Sequence, residues 1–163
     1  VTKMAWQKLD STTLGSASDN ITSATFITKK FIQWLCHRLT GAGDQSGFFR
    51  FNANSNNVYA ERTSYNGAAD GTATTQPRIQ NSASSITDNF CICYVMNILG
   101  NEKLAIFFNV NGNTAGAGNA PTRMEGVGKF VPSPDADITS VTQLVTTGNN
   151  IPIDSNLTVL GTD

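Results

Sequence analysis

The chain contains 163 residues with a mass of 17.4 kDa, which is the size of one domain and enough to bury a core. It has 20 threonines, 13 serines, 17 asparagines and 14 glycines, whereas charged residues make up only 14%. Because these residue types favour strands, turns and loops, the composition excludes a coiled coil or a long-helix protein. A hydrophobic fraction of 39% and a net charge of -1 also exclude a disordered chain.

The charge pattern and the apolar runs limit the classes of partner. Neither half of the chain carries the clustered lysines and arginines of a nucleic-acid footprint, so we expect no direct nucleic-acid binding. The longest apolar runs, Cys91–Met96 and Leu104–Phe108, are far shorter than the roughly 20 residues of a membrane-spanning helix. The first residues also lack the apolar segment of a secretory signal. The sequence therefore predicts neither a membrane partner nor a secretory route.

The first strongly apolar segment runs from Lys30 to Leu39, and its periodicity fits a helix as well as a strand. Its flanks favour a strand, because threonine-rich sequence precedes it and a glycine-containing loop, residues 40–44, follows. A strand places Ile32, Trp34 and Cys36 on one face. We expect a buried strand here.

The next segment resembles a hairpin. Short apolar runs at residues 48–51 and 58–62 flank an asparagine-rich stretch, residues 52–57, which predicts two strands joined by a longer loop. Tyr65 then precedes Asn66-Gly67, a pair that tolerates the positive φ angles of a tight turn.

The second half of the chain contains the clearest strand pair. Residues 89–99 and 103–110 are joined by the short turn 100–102, which predicts a hairpin. Residues 122–131 alternate between charged and apolar side chains, as a half-exposed strand does. Apolar runs at residues 138–146 and 157–160 predict the last strands of the chain.

About eight to ten short strands without a credible helix or a fixed repeat predict an all-β fold. We expect one antiparallel β-sandwich domain over residues 1–163, jelly-roll-like, with long loops rich in asparagine, glycine and threonine. The termini, about residues 1–10 and 147–163, are candidates for extended segments that reach a neighbouring subunit.

Three cysteines do not make a disulfide scaffold. Cys91 and Cys93 share one face of a strand and cannot easily bridge each other, and Cys36 can pair with either only if the fold brings their strands together. We expect three buried thiols in a reducing compartment. His37 points away from Cys36 in a strand, so we expect no Cys–His nucleophile.

Motifs for metals and cofactors are incomplete. The spacing Cys91-x-Cys93 lacks a second zinc ligand pair. Residues 52–56 and 109–113 carry asparagines at alternate positions without a carboxylate, which favours turns over a calcium loop. Residues 116–121 lack the lysine of a phosphate loop. The sequence predicts no catalytic residues, no metal, no cofactor and no enzyme activity.

Aromatic residues could form a platform for a sugar, since a flat ring offers a large apolar face. Most of them alternate within predicted strands, so we expect most of them in the core. Tyr65 is different, because it lies among polar turn residues. Tyr65, Arg62 and Asn66 are therefore the candidate ligand-binding residues.

Read from end to end, the chain resembles a class of poorly annotated virion proteins from environmental and marine phages and related viruses. The motifs that carry this resemblance are Trp6-x-x-Leu9, Lys29-Lys30-Phe31, Phe49-Arg50-Phe51-Asn52, Asn57-x-Tyr59-Ala60-x-Arg62, Asn66-Gly67-Ala68-Ala69-Asp70, Asn101-Glu102-Lys103-Leu104 and the run Asn113 to Arg123, ending in Gly128-Lys129.

The resemblance implies a virion structural protein: a capsid, capsid-decorating or tail-appendage subunit that associates with copies of itself and with other virion proteins. Such a subunit would be made in the host cytoplasm and carried out in the particle. It implies no catalytic residues. A carbohydrate- or receptor-binding module without catalysis, directed at a host-surface glycan, is the alternative, and a small hydrolase that uses His37 or paired acids is a third.

Overall fold

The computed structural model describes residues 5–39, 45–80, 88–112, 116–146 and 150–163. These residues contain twelve strands and no helix. The described part of the chain thus has no helix that is long and apolar enough to cross a membrane. The strands are β1 (Gln7–Thr13), β2 (Asn20–Thr22), β3 (Phe31–Leu39), β4 (Gly47–Phe51), β5 (Tyr59–Tyr65), β6 (Gly71–Ala73), β7 (Arg78–Gln80), β8 (Asp88–Met96), β9 (Lys103–Asn111), β10 (Thr122–Phe130), β11 (Val141–Val145) and β12 (Asn156–Thr162).

The strands form two antiparallel sheets, which confirms the predicted all-β sandwich. The large sheet has the order β1-β12-β3-β8-β9-β10-β5-β6, and the small sheet has the order β2-β11-β4-β7. Apolar side chains from the facing sides of both sheets form one core cluster. Burial of this cluster is the main force that holds the layers together.

Strand β3 confirms the expectation for the segment after Lys30. Ile32, Trp34 and Cys36 are fully buried, and the alternate side chains lie on the other face of the sheet. The strand lies between β12 and β8, so both of its edges are hydrogen-bonded. Successive side chains of a strand point to opposite faces of its sheet, so buried and less buried residues alternate along β3.

The hairpin predicted around residues 52–57 is wrong. Strand β4 pairs with β11 and β7 in the small sheet, whereas β5 pairs with β10 and β6 in the large sheet. Asn52 and Ala53 have φ angles of 53° and 51°, and they turn the chain from one layer to the other. The Asn52 side chain fixes this crossing, because its Oδ1 accepts hydrogen bonds from the backbone N–H groups of Thr139 and Ser140.

The two tight turns follow the sequence prediction. Asn66 and Gly67 have φ angles of 51° and 77°, and the N–H of Ala68 donates to the carbonyl of Tyr65, which gives a type I′ turn between β5 and β6. Strands β8 and β9 form the expected hairpin, with Met96 opposite Leu104 at its closed end.

The terminal strands pair with each other inside this chain. Strands β1 and β12 are antiparallel neighbours in the large sheet, and β1 forms one edge of that sheet. Residues 7–10 and 156–162, which fall within the segments considered above as straps to a neighbour, are thus sheet strands. Residues 1–4 and 147–149 lie outside the described residues.

Candidate functional site

The β8–β9 hairpin carries its apolar side chains on the outside. From residue 90 to residue 110, every outward-facing strand position is apolar, and Tyr94, Ile106 and Phe108 are 44%, 52% and 47% exposed. The outward residues are Phe90, Ile92, Tyr94 and Met96 on β8, and Leu104, Ile106, Phe108 and Val110 on β9. We call this set of eight side chains the outer face.

Polar side chains of the same hairpin point inward instead. Asn89 and Asn109 exchange hydrogen bonds through their side-chain amides, at 3.2 and 3.1 Å, and the Asn111 amide donates to the hydroxyl of Thr122. All three asparagines are buried. They are tolerated because they satisfy one another's hydrogen-bonding groups. The hairpin therefore buries amides while it leaves rings and aliphatic chains in contact with solvent.

Neighbouring strands extend the outer face on both sides. Phe31 on β3 and Val127 on β10 are large, exposed apolar side chains next to the hairpin. A shallow depression of about 440 Å³ lies where β9, β10 and β5 meet. Its lining includes Leu104, Ile106, Val127, Arg62 and Lys129.

Paired charges surround the outer face. Each pair holds a cationic group close to a carboxylate, so the pairs leave little net charge at this rim. The pairs, with their N–O distances, are Arg62–Asp70 at 3.2 Å, Lys129–Glu102 at 3.0 Å and Arg123–Glu125 at 3.9 Å.

The three candidate ligand-binding residues do not share one face. Arg62 points outward and pairs with Asp70 beside the outer face. Tyr65 is three residues further along β5, so it points to the opposite side of the sheet, where it is half-buried. Asn66 fixes the turn to β10, because its Oδ1 accepts a hydrogen bond of 2.9 Å from the backbone N–H of Arg123.

The expectation that most aromatic residues lie in the core is only partly right. The core holds the rings of Phe26, Trp34, Phe49, Phe51, Tyr59, Phe107 and Phe130. Phe31, Phe90, Tyr94 and Phe108 are exposed. In β9, Phe107 and Phe108 are consecutive, so one ring must point outward whichever face is buried. That pair of adjacent rings was the available sequence signal for an apolar outer side.

The fold brings two of the cysteines together as free thiols. Cys36 on β3 lies directly opposite Cys91 on β8, and Cys93 is also buried. Burial raises the pKa of all three thiols, and that of Cys91 to about 11. His37 is on the exposed side of β3, away from the Cys36 thiol, as strand alternation requires.

We expect the native thiols to resist alkylation. A raised pKa leaves little thiolate at pH 8, and burial blocks the reagent, so iodoacetamide should label native protein at least about 100-fold more slowly than unfolded protein. Mass spectrometry of samples labelled with and without denaturant measures the difference. All three cysteines should be labelled after unfolding. Rapid labelling of Cys36 or Cys91 in the native protein would contradict this packing.

Glu61 is a buried carboxyl on the inner side of β5. It is 7% exposed, and it accepts a hydrogen bond from the backbone N–H of Arg78. Burial raises the pKa of Glu61 to about 7, although the Arg78 hydrogen bond acts in the opposite direction. The folded chain therefore binds a proton that the unfolded chain releases between about pH 4.5 and pH 7.

We expect this proton to make the fold less stable at pH 8 than at pH 5, by up to about 3 kcal/mol. Glu61→Gln keeps the acceptor oxygen and should remove this dependence, whereas the exposed control Glu125→Gln should keep it. Urea unfolding at both pH values, at one protein concentration, measures the effect. Asp135 and Asp163 do not mask it, because hydrogen bonds from lysines lower their pKa and their contribution is lost only below about pH 4.

Equal unfolding free energies for the wild type at pH 5 and pH 8 would contradict the role of Glu61. So would a Glu61→Gln variant that keeps the wild-type pH dependence.

Comparison with protein-family models, with curated proteins and with solved structures finds no match to this chain. Within the described ranges, no three histidine, cysteine, aspartate or glutamate side chains gather in a geometry that could hold a metal ion. The outer face is the candidate functional site, because it holds six of the thirteen large apolar side chains that are exposed among the described residues.

Proposed function

We propose that this chain is a self-associating structural subunit of a virion, as a capsid, capsid-decorating or tail-appendage protein of a phage or related virus. The observation that carries the proposal is the outer face. Six of its eight apolar side chains are 39–52% exposed, and Ile92 and Met96 are partly buried. Together they present roughly 600 Å², at the top of the range of about 300–600 Å² for the largest apolar patch of a monomer, and such a patch is often functional. Such a surface favours a protein that works in contact with others.

The order of the strands supports the jelly-roll-like part of the proposal. Strands β1 to β4 alternate between the large and the small sheet, and the last two strands return beside them, β11 between β2 and β4 and β12 between β1 and β3. Two-sheet jelly rolls are common in viral capsid and lectin domains. The sequence resemblance to phage virion proteins points in the same direction.

The charge of the chain also suits repeated packing. A net charge of -1 adds little repulsion when many identical copies are brought together. In this proposal the subunit is made in the host cytoplasm and leaves it inside the particle, in contact with itself and with other virion proteins.

Light scattering and negative-stain microscopy of the purified chain test self-association. We expect trimers, larger shells or filaments, and a strictly monomeric species at high concentration would contradict the proposal. Peptide mass spectrometry of purified virus particles tests the virion location separately. An oligomer that is absent from the particles would contradict that part alone.

A glycan-binding module is the second candidate, and one depression favours it. Next to the outer face, a shallow site of about 290 Å³ combines the Phe108 ring with polar and charged groups, an arrangement that suits a sugar. Its polar lining includes Arg62, Ser64, Asp70 and Glu125. A glycan array with the purified chain separates the two candidates, because the structural subunit needs no sugar.

A further inference from the structure

We propose that the outer face of the β8–β9 hairpin binds the same face of a second copy of this chain. This inference rests on the proposed function, which is self-association, and it adds the surface and the partner. Among the described residues, thirteen large apolar side chains are exposed, and six of them belong to this face.

The area of the outer face and its apolar neighbours suits a stable contact. A specific protein–protein interface buries about 800 Å² on each partner. The eight side chains of the outer face approach this area only together with their exposed neighbours on β3 and β10. Phe31 and Val127 extend the apolar surface on either side. A small peptide or a single sugar would leave most of this surface in water.

The composition of the outer face resembles the centre of an interface between identical subunits. Such centres are poor in charged residues and rich in aromatic residues and methionine. Between residues 90 and 110, the outward strand positions hold three aromatic rings, a methionine and four aliphatic side chains. A solvent-facing strand normally carries polar side chains at these positions.

The charges around the outer face favour a second copy over a partner of opposite charge. The cationic groups of the rim are held by carboxylates of the same chain, Arg62 by Asp70 and Lys129 by Glu102. Two such rims meet without net repulsion, since each is close to neutral. This nearly neutral rim offers no complementary charge to a strongly charged partner.

Ile106 occupies the centre of the contact. On one side it lies opposite Tyr94 of β8, and on the other side it lies opposite Val127 of β10. When the same patch is used by both copies, one substitution changes both sides of the interface. A charged side chain at this position would be buried without a partner in the assembly, yet it would remain in water in a single copy.

The test compares Ile106→Arg with Ile153→Arg. These two isoleucines are 52% and 50% exposed, and Ile153 lies in the loop before β12, outside the outer face. Analytical ultracentrifugation over a concentration series measures association, and circular dichroism checks that each variant is folded. We expect Ile106→Arg to raise the dissociation constant by at least about 100-fold, and Ile153→Arg to leave it within about threefold of the wild type.

The possible outcomes distinguish a failure of the proposed surface from a failure of self-association. A wild-type oligomer that persists unchanged in folded Ile106→Arg overturns this surface but leaves self-association intact. A wild-type chain that stays monomeric overturns both. If the monomer binds a glycan and Ile106→Arg abolishes that binding, the face belongs to a sugar and the second copy is wrong.

Should Ile106→Arg fail to fold, Tyr94→Lys provides the second variant, because Tyr94 lies in the same face and is similarly exposed. Unchanged association in folded Tyr94→Lys would equally overturn the proposed surface.

Discussion

Replacing Gly126 with alanine should destabilise the sandwich by about 3 kcal/mol, the upper part of the range for overpacked cores. A Cβ atom at this position would lie 2.4 Å from two ring atoms of Phe107 and 2.8 Å from Cγ2 of Thr63. The Phe107 ring is fully buried, and its centroid is 5.3 Å from that of Phe49, so a shift of this ring would disturb the packing of the core. Thermal unfolding should show a loss of roughly 10 °C in Tm.

Gly15→Ala is the matched control, because a Cβ atom there meets no heavy atom within 4 Å. Its Tm should stay close to that of the wild type. Combining Gly126→Ala with Phe107→Leu should cost less than the sum of the single changes, since the ring atoms that cause the overlap are gone. Equal unfolding temperatures for Gly126→Ala and Gly15→Ala would show that β10 does not pack against the Phe107 ring.

The second large effect is expected from Asn97→Ala, with a loss of roughly 3 kcal/mol. Asn97 is buried just after β8, and its amide donates to the Thr28 hydroxyl at 2.9 Å and to the carbonyls of Lys29 and Ile138 at 3.0 and 3.2 Å. Its Oδ1 accepts from the backbone N–H of Ile138 at 2.8 Å. Alanine would leave these backbone groups buried and unpaired, and urea unfolding measures the cost.

Asn101→Ala controls for the loss of an asparagine in the same region. Asn101 is exposed, and its amide makes one local hydrogen bond, to the carbonyl of Leu99. We expect a change within about 0.5 kcal/mol for this variant. If Asn97→Ala is no less stable than Asn101→Ala, the link that Asn97 makes between β8 and the segment before β11 does not contribute to stability.

Much of the fold could be predicted because local patterns agree with the tertiary structure. The β8–β9 hairpin and the turn at Asn66-Gly67 depend on residues that are close in sequence. Strand β3 was ambiguous by periodicity, and its threonine-rich and glycine-rich flanks indicated the correct element. In each case the decisive information lies within a few residues of the element itself.

The pairing of β4 and β5 could not be predicted in the same way. An asparagine-rich loop between two apolar runs is compatible with a hairpin and with a crossing between layers. The choice depends on Asn52, whose side chain bonds to Thr139 and Ser140, almost 90 residues further along the chain. A local pattern contains no information about a contact of that range.

The outer face could not be predicted from the sequence for a related reason. Alternation in β8 and β9 shows that two faces exist, but it does not show which one is buried. Phe107 joins the core on the inner face, where Asn89 and Asn109 satisfy each other across the hairpin. The rings of Phe90 and Phe108 therefore lie on the outside. Arg62 was the one predicted ligand-binding residue that lies beside the outer face, whereas Tyr65 points to the other side of β5.

The most direct test of the account is the accessibility of Tyr94 in the working form of the protein. In a single copy this ring is 44% exposed and should react readily with a tyrosine-nitrating reagent. We predict that Tyr94 is protected in the wild-type chain at high concentration and becomes reactive on dilution, or in Ile106→Arg at any concentration. Full reactivity of Tyr94 in concentrated wild-type protein would contradict the claim that this face is a contact between copies.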